Sequence, residues 1–423
     1  MRAVLQDRHF RRLWIAQVAL SLGDAVMQMG LVEFFRVHGY SVRDEAAKLL
    51  FASALPALVF GPVAVVWLDR WQRRSVLMVS DALRAVCVAL MVLGTAPEVV
   101  GRLQAQHVPP IYLLMFALGT LTTFYYPARY AWIPNLVEAR DLIQANTLFT
   151  VSLAVANVGG RAVGGFVAER LGVTWALLAN VLAYVASILL VGRIATVPHA
   201  VSSRARKGDP TSAHATGVPT MAGGVGELRE GWRYLWTHPS ALPLVVLSGV
   251  FAFLLGILAV AIVGYALDTL GLRTGGLGYL VAAAGVGAGL GIAVLGRGGA
   301  WTKSVWLPLA QLVLAALVIG GLGLTATVWV AAPLLFALGA VGATVLIPID
   351  AKLQEEVEDA RRGAVFAVRG MLTSATMVVA FWLQFGTRLF RDTPAPTILL
   401  WTAGGALVAA GLTFLALRSR RKR

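Results

Sequence analysis

Long apolar segments recur along the whole chain, and this recurrence limits the fold more than any other feature of the sequence. A helix that crosses the hydrocarbon core of a bilayer needs about 20 mostly apolar residues. Segments of that kind lie near 11–35, 49–68, 75–93, 111–128, 143–168, 174–192, 242–265, 277–295, 305–324, 328–347, 364–386 and 397–417. Because backbone polar groups in lipid must be satisfied within each segment, the pattern predicts an all-α integral membrane protein.

The composition excludes a water-soluble fold. Of the 423 residues, 58% are hydrophobic and 13% are charged, whereas soluble domains carry about a quarter of charged residues. The single cysteine, Cys87, excludes an internal disulfide framework, and the histidines do not pair at metal-ligand spacing. A phosphate-binding Gly-x-x-x-x-Gly-Lys-Ser/Thr loop does not occur in the sequence. We therefore expect no cofactor and no metal, and we expect the chain not to be an enzyme.

The basic residues indicate an orientation in the membrane. The formal net charge is +15, but Lys and Arg cluster at the ends of the apolar segments, which disfavours a nucleic-acid partner. With both termini on one side, that side carries roughly three times as many Lys and Arg as the other, and cytoplasmic loops are enriched in both. We predict a multi-pass protein of the cell inner (cytoplasmic) membrane with both termini in the cytoplasm, surrounded by membrane lipids and monomeric.

One long polar stretch divides the chain into two parts. Residues 193–240 are rich in Ser, Arg and Pro, which favours a flexible cytoplasmic linker. The parts on either side are predicted to be an N-terminal six-helix bundle, 1–192, and a C-terminal six-helix bundle with a basic tail, 241–423. The linker ends in Glu227–Trp236, which is predicted to be either an interfacial amphipathic helix or a short helix packed under the bundle.

The two parts carry a faint repeat. One constant shift places Pro127 on Pro348 and Glu138-Ala139-Arg140 on Asp359-Ala360-Arg361. Parallel duplication is typical of transporters whose site lies between two halves.

The loop after the second apolar segment carries a family resemblance. It ends in Asp69-Arg70-Trp-Gln72-Arg73-Arg74 and resembles the Asp-Arg-x-Gly-Arg-Arg loop of the major facilitator superfamily, with Gln72 at the glycine position. Other segments resemble its exporter branch, which includes enterobactin exporters and multidrug transporters; they are Ser21-Leu-Gly-Asp24, Asp81-Ala-Leu-Arg84, Pro127-Ala-Arg129, Ala145-Asn146, Leu353-Gln354 and Arg362-Gly363. The resemblance implies twelve transmembrane helices in two pseudo-symmetric six-helix bundles, the major facilitator fold.

A neighbouring branch competes with this interpretation. Ser21-Leu-Gly-Asp24, Pro127-Ala-Arg129-Tyr130 and Pro348-Ile-Asp-Ala-Lys-Leu-Gln354-Glu355 also resemble bacterial lysophospholipid transporters. The resemblance therefore implies a secondary active transporter that moves an amphipathic small molecule by alternating access. It acts either in proton-coupled, drug- or siderophore-like efflux or as a lysophospholipid transporter or flippase. A transport-inactive sensor or scaffold remains a further alternative, because signature glycines are replaced.

Three ionisable residues inside the apolar segments are predicted to form the working site. A charge in hydrocarbon costs about 3 kcal/mol or more, so it normally faces a cavity or a partner. Asp24 lies near the middle of the first segment, Glu33 lies further along it, and Arg161 lies in the fifth segment. We predict that Asp24 binds substrate or a proton with Arg161 as its counter-charge, and that Glu33 is the other candidate partner. The alternative is a static ion pair between two helices.

Arg161 also departs from a pattern of the resembling family. Gly160-Arg161-Ala-Val-Gly164-Gly165 resembles the Gly-Pro-x-x-Gly-Gly signature of antiporters, with arginine at the proline position. This change disfavours simple proton antiport, and a cation in the cavity suits an anionic substrate. Gly160 and Gly164 still form a small-residue contact face, and Gly285-x-Gly287-x-Gly289-x-Gly291 is interpreted as helix packing rather than a dinucleotide loop.

A second set of charged residues lies nearer the cytoplasmic ends of the segments. We predict that this set forms a cytoplasmic gate, closed by ion pairs when the transporter faces outward; its members are Asp69, Arg70, Arg73, Arg74, Asp81, Arg84, Arg129 and Arg369. In the resembling family the loop aspartate meets the start of the eleventh helix. A permanent positively charged anchor is the alternative.

Overall fold

Twelve long helices make up most of the structure, a computed structural model that describes residues 2–68, 71–95, 108–194, 225–238, 241–297, 304 and 306–420. We number them in chain order as α1 Arg8–Val37, α2 Val42–Leu68, α3 Arg73–Gly94, α4 Val108–Trp132, α5 Leu142–Leu171, α6 Val173–Gly192, α7 Leu242–Gly264, α8 Thr274–Gly296, α9 Leu307–Gly323, α10 Val328–Gly342, α11 Asp359–Gly386 and α12 Ala395–Arg420. Among the described residues, ten helices are long and apolar enough to span a membrane, and α9 is a shorter apolar helix. The predicted all-α membrane fold is confirmed.

Each half repeats the same pattern of neighbours. In the first half α1 packs against α5 and α6, α2 against α4, and α3 against α6. In the second half α7 packs against α11 and α12, α8 against α10, and α9 against α12. This repetition is the pseudo-symmetry that the faint sequence repeat predicted.

Short helices lie between or beside the long ones. They are Arg2–Gln6, Val225–Thr237, Leu346–Glu356 and Arg388–Arg391, with 3-10 turns at Ile133–Asn135 and Ala139–Asp141 and a π turn at Tyr265–Thr269. The helix Val225–Thr237 is the described end of the linker; residues 195–224 and 239–240 lie outside the described residues. It packs against α11, where Glu230 pairs with Arg361. The helix is packed against the bundle in this structure, and its position at the membrane interface stays a prediction.

Small residues set the closest helix contacts. A Cβ added at Gly164 would lie 2.6 Å from the Cα of Val26, so α5 approaches the backbone of α1 there. On α8, Gly287 and Gly291 meet the backbone carbonyls of Phe336 and Ala340 in α10. Both glycine patterns are therefore helix-packing faces, as predicted.

The bundle has two ends, which we name by the chain. The terminus side is the end at which α1 begins and α12 ends, and the far side is the opposite end. Successive helices alternate in direction, so the starts of α2 and α8 and the ends of α1 and α5 all lie on the far side.

Candidate functional site

Asp24 lies near the middle of α1 and is held by neutral groups of α6. Its Oδ1 accepts a hydrogen bond of 2.8 Å from the Tyr184 hydroxyl and one of 3.3 Å from the Asn180 amide. Both donors are buried. The neighbouring Gly23 allows this approach, because a Cβ there would meet Asn180 and Ala183. A carboxylate is thus fixed inside the bundle without a direct ion pair.

Arg84 on α3 lies close enough to attract this carboxylate electrostatically, although the two do not form an ion pair. Its Nη1 lies 3.6 Å from Oδ1 of Asp81. Asp81 is fully buried, and its Oδ2 accepts a hydrogen bond of 2.6 Å from Ser187 on α6. The guanidinium of Arg84 lies 4.2 Å from the centre of the Tyr125 ring. Asp81 therefore pairs with Arg84, and the Asp24 carboxylate lies within the electrostatic reach of the same arginine, which was predicted to belong to the gate.

The polar groups continue from this cluster toward the terminus side. Tyr125 on α4 accepts a hydrogen bond from the Gln17 amide of α1. The Gln17 oxygen accepts a hydrogen bond of 3.1 Å from Nη1 of Arg129. Arg129 is only 2% exposed, and its guanidinium lies over the rings of Tyr126 and Tyr130 at 4.8 and 4.4 Å. Cation–π contacts of this kind stabilise a buried arginine that has no carboxylate.

Arg161 does not pair with an acid. Its Nη1 donates to the side-chain oxygen of Asn157, and its Nη2 donates to that of Gln28 at 3.3 Å. Among the described residues no charge of opposite sign acts on it appreciably. In this conformation Arg161 is therefore not the counter-charge of Asp24 or of Glu33; Glu33 pairs with Arg36, and Asp24 is attracted by Arg84.

Glu33 lies away from Asp24, where the two halves meet on the far side. It forms an ion pair of 2.6 Å with Arg36 and accepts a hydrogen bond of 2.6 Å from the hydroxyl of Thr274 on α8. Nearby, Oε2 of Glu169 on α5 accepts a hydrogen bond of 3.1 Å from the backbone N–H of Gly275.

Arg43 adds a further link between the halves. It donates to the carbonyl of Thr393 at 2.6 Å, to that of Phe390 at 3.1 Å, and to that of Arg391. We name these linked residues the far-side seam; it consists of Glu33, Arg43, Glu169, Thr274, Gly275 and the carbonyls of Phe390, Arg391 and Thr393. Of these residues, charge patterning selected only Glu33. Most partners in the seam are a hydroxyl, an N–H and carbonyls, although Glu169 also pairs with Arg273 at 3.6 Å.

The described members of the predicted gate form separate local groups rather than one cluster. Arg74 donates to the carbonyl of Gly192 at the end of α6, and Arg73 begins α3. Arg369 pairs with Asp350 at 2.8 Å and donates to the Ser248 hydroxyl at 3.0 Å, all within the second half. Asp69 and Arg70 lie outside the described residues. An ion-paired gate therefore stays a prediction for another conformation.

The second half also contains a small apolar cavity. Its volume is about 40 Å³, and its lining comes from α7, α9, α10 and α12; it includes Phe251, Leu254, Leu312, Leu338 and Ala406. Among the described residues no group of three His, Cys, Asp or Glu side chains is arranged to hold a metal ion.

The chain is similar in sequence to a known family and to several of its proteins. A model described as Major Facilitator Superfamily matches residues 13–381. The uncharacterized MFS-type transporter Rv0037c of Mycobacterium tuberculosis is 26% identical over 454 aligned positions, which cover 99% of this chain and 93% of that protein. The uncharacterized MFS-type transporter YkuC of Bacillus subtilis is 23% identical over 260 residues, which is 61% of this chain and 56% of that protein.

Solved structures match at lower identity. The nucleoside transporter NupG aligns with a TM-score of 0.72 at 12% identity and covers 96% of this chain and 98% of its own. A bacterial homologue of the iron transporter ferroportin aligns at 14% identity with a TM-score of 0.72 in its inward-facing state, over 97% of this chain and 98% of its own. Its outward-facing state scores 0.59, over 98% and 99%. At such identities the likeness shows the fold and not the solute.

Proposed function

The chain belongs to the major facilitator superfamily, whose model matches most of its length, and is a secondary transporter rather than an enzyme; on this premise we propose that it exports an amphipathic small molecule, of drug or siderophore type, by alternating access. Export is coupled to protons that bind at Asp24. The membrane is the bacterial cytoplasmic membrane, and both termini face the cytoplasm.

The observation that carries the proposal is the placement of two carboxylates, Asp24 and Asp81, around one arginine, Arg84, which forms an ion pair with Asp81 only. Charge inside a membrane bundle is costly unless it is compensated. One guanidinium compensates one carboxylate, so binding a proton at the second leaves the cluster neutral. The proton belongs at Asp24, because Tyr184 and Asn180 are neutral partners that also accommodate a carboxylic acid. Asp81 keeps the ion pair with Arg84.

The far-side seam determines the end of the bundle from which Asp24 is reached. It joins the halves at one end, so in this conformation a solute or proton reaches Asp24 from the terminus side. The polar side chains of Tyr125, Gln17 and Arg129 lead toward that side. Opening the seam and closing the terminus side would expose the same carboxylate to the other face of the membrane.

Transport by purified protein in liposomes tests the proposal. The vesicles carry an imposed pH gradient and the fluorescent amphipaths carboxyfluorescein, an anion, and rhodamine 6G, a cation. We expect gradient-driven movement of at least one probe by the wild type and loss of the pH dependence in Asp24→Asn. Asp392→Asn is the matched control, because Asp392 is exposed. Folded wild-type protein that moves neither probe would overturn export and favour the transport-inactive sensor or scaffold.

Lysophospholipid transport is the second candidate, and Arg161 is the observation that favours it. A cation inside the bundle without a carboxylate partner suits the phosphate of a lipid head group. Movement of a fluorescent lysophospholipid between leaflets, with no response to the pH gradient, would favour this function over proton-coupled export.

A further inference from the structure

The side chain of Arg161 reaches from α5 to α1 at the place where the first half meets α8. Its guanidinium rests on Asn157, one turn earlier on α5, and on Gln28 of α1. On the second half, Gly278 packs against the Arg161 carbonyl, where an added Cβ would meet the oxygen at 2.5 Å. Gln28 follows Asp24 by one helical turn. Arg161 therefore borders the Asp24 cluster but does not belong to it.

The surroundings of Arg161 orient its charge and do not neutralise it. Amide oxygens are neutral acceptors. The buried arginines Arg84 and Arg129 of the first half are balanced in different ways, Arg84 by Asp81 and Arg129 by aromatic rings. Neither kind of partner is present at Arg161 among the described residues. Because the charge of Arg161 is oriented but not neutralised, it can bind an anion that is not part of the chain.

The guanidinium also has the donors that an anion needs. Arginine has five N–H groups in a planar fork, and the two contacts to Asn157 and Gln28 leave further donors available. A fork of this shape matches the two oxygens of a carboxylate or a phosphate. Lysine would supply the charge but not this geometry.

We propose that Arg161, positioned by Asn157 and Gln28, binds the oxyanion of an amphipathic anionic substrate, at a subsite separate from the proton site at Asp24. This inference rests on the proposed transport function and narrows its substrate to carboxylates and phosphates. The two sites have separate roles, because Asp24 exchanges a proton and Arg161 binds the anionic group of the substrate.

Binding to the full chain in detergent, without a pH gradient, tests the subsite. The probes are a fluorescent dodecanoic acid, its methyl ester and a fluorescent lysophosphatidylglycerol. We expect Arg161→Gln to weaken binding of an anionic probe about tenfold or more and to leave the ester unchanged, because the lost hydrogen bonds are charge-assisted. Arg161→Lys should recover part of the loss. Asp24→Asn should leave anion binding intact.

The outcomes separate the sources of the anion and the two proposals. If Arg161→Gln weakens binding of the fatty acid but not of its ester, the substrate is a free amphipathic anion. If it weakens binding of the lysolipid alone, the substrate is a lipid head group. Either result supports the subsite. Equal loss for acid and ester, or loss of thermal stability in Arg161→Gln and Arg161→Lys with unchanged affinities, would overturn it in favour of a static lock between helices. Because no gradient is used, failure of proton-coupled export leaves this readout unaffected.

Discussion

The carboxylate of Glu33 near the end of α1 accepts a hydrogen bond of 2.6 Å from the hydroxyl of Thr274, the first residue of α8. The bond joins the two halves, and Glu33 is only 4% exposed. Arg36 pairs with the same carboxylate, and Glu169 holds the N–H of Gly275, the next residue along α8. These contacts keep the far side closed.

Removing the Thr274 hydroxyl should loosen the far-side seam. Thr274→Val keeps the shape of the side chain and deletes one hydrogen bond to a charged group, worth about 1.5–3 kcal/mol. We expect the population that is open on the far side to increase about tenfold or more.

Spin-label distances measure this change. The native Cys87 is replaced by Ser, and labels are placed at Leu171 and Leu324, which are exposed at the far-side ends of α5 and α9. Thr402→Val is the control, because that hydroxyl bonds only within its own helix. Identical distance distributions for Thr274→Val and the wild type would show that the hydrogen bond does not hold the far side closed.

Arg84 is expected to be the charged residue on which the stability of the first half depends most. Replacing it with Gln leaves Asp81 buried beside a second carboxylate, and breaking a buried pair in this way costs about 3–5 kcal/mol. Arg84→Gln should therefore lower the thermal unfolding midpoint strongly. The double variant Asp81→Asn, Arg84→Gln should recover part of that loss, since the unpaired charge is also gone. If the double variant is as unstable as the sum of the single variants, the two side chains do not interact.

Hydropathy could predict the helices and charge could select candidate site residues, but neither could predict which residues contact each other. Asp24 and Arg161 lie at similar depths, yet depth along a helix leaves the rotation about its axis open. The structure turns Asp24 toward Tyr184 of α6 and Arg161 toward Gln28. Most of the far-side seam could not be predicted from the sequence for a different reason. Thr274 is neutral and Arg43 binds backbone carbonyls, so a search for opposite charges finds neither link.

The contact between α1 and α5 at Gly164 should not tolerate a methyl group. A Cβ there would come within 2.6 Å of the Cα of Val26, which is backbone and cannot move aside cheaply. Gly164→Ala should cost about 1–3 kcal/mol through overpacking and lower the unfolding midpoint. Gly159→Ala is the matched control on the same helix, because nothing lies within 4 Å of its added Cβ. Alanine there is expected to be neutral or slightly stabilising, since it favours helix more than glycine does. Equal effects of the two changes would contradict the packing argument.

The hydroxyl of Tyr184 should matter for proton coupling rather than for substrate binding. It donates the shorter of the two hydrogen bonds that Asp24 receives, at 2.8 Å, and so fixes the carboxylate beside Arg84. Tyr184→Phe keeps the ring in its buried site and removes this donor, which is worth about 1.5–3 kcal/mol when the acceptor is charged. We expect gradient-driven transport in liposomes to slow about tenfold or more, while the affinity for an anionic amphipath, which depends on Arg161, stays unchanged. Tyr279→Phe, at an exposed tyrosine of α8, should leave both quantities at the wild-type level. A fall in affinity with an unaltered response to the pH gradient would place Tyr184, and with it Asp24, in the substrate subsite instead.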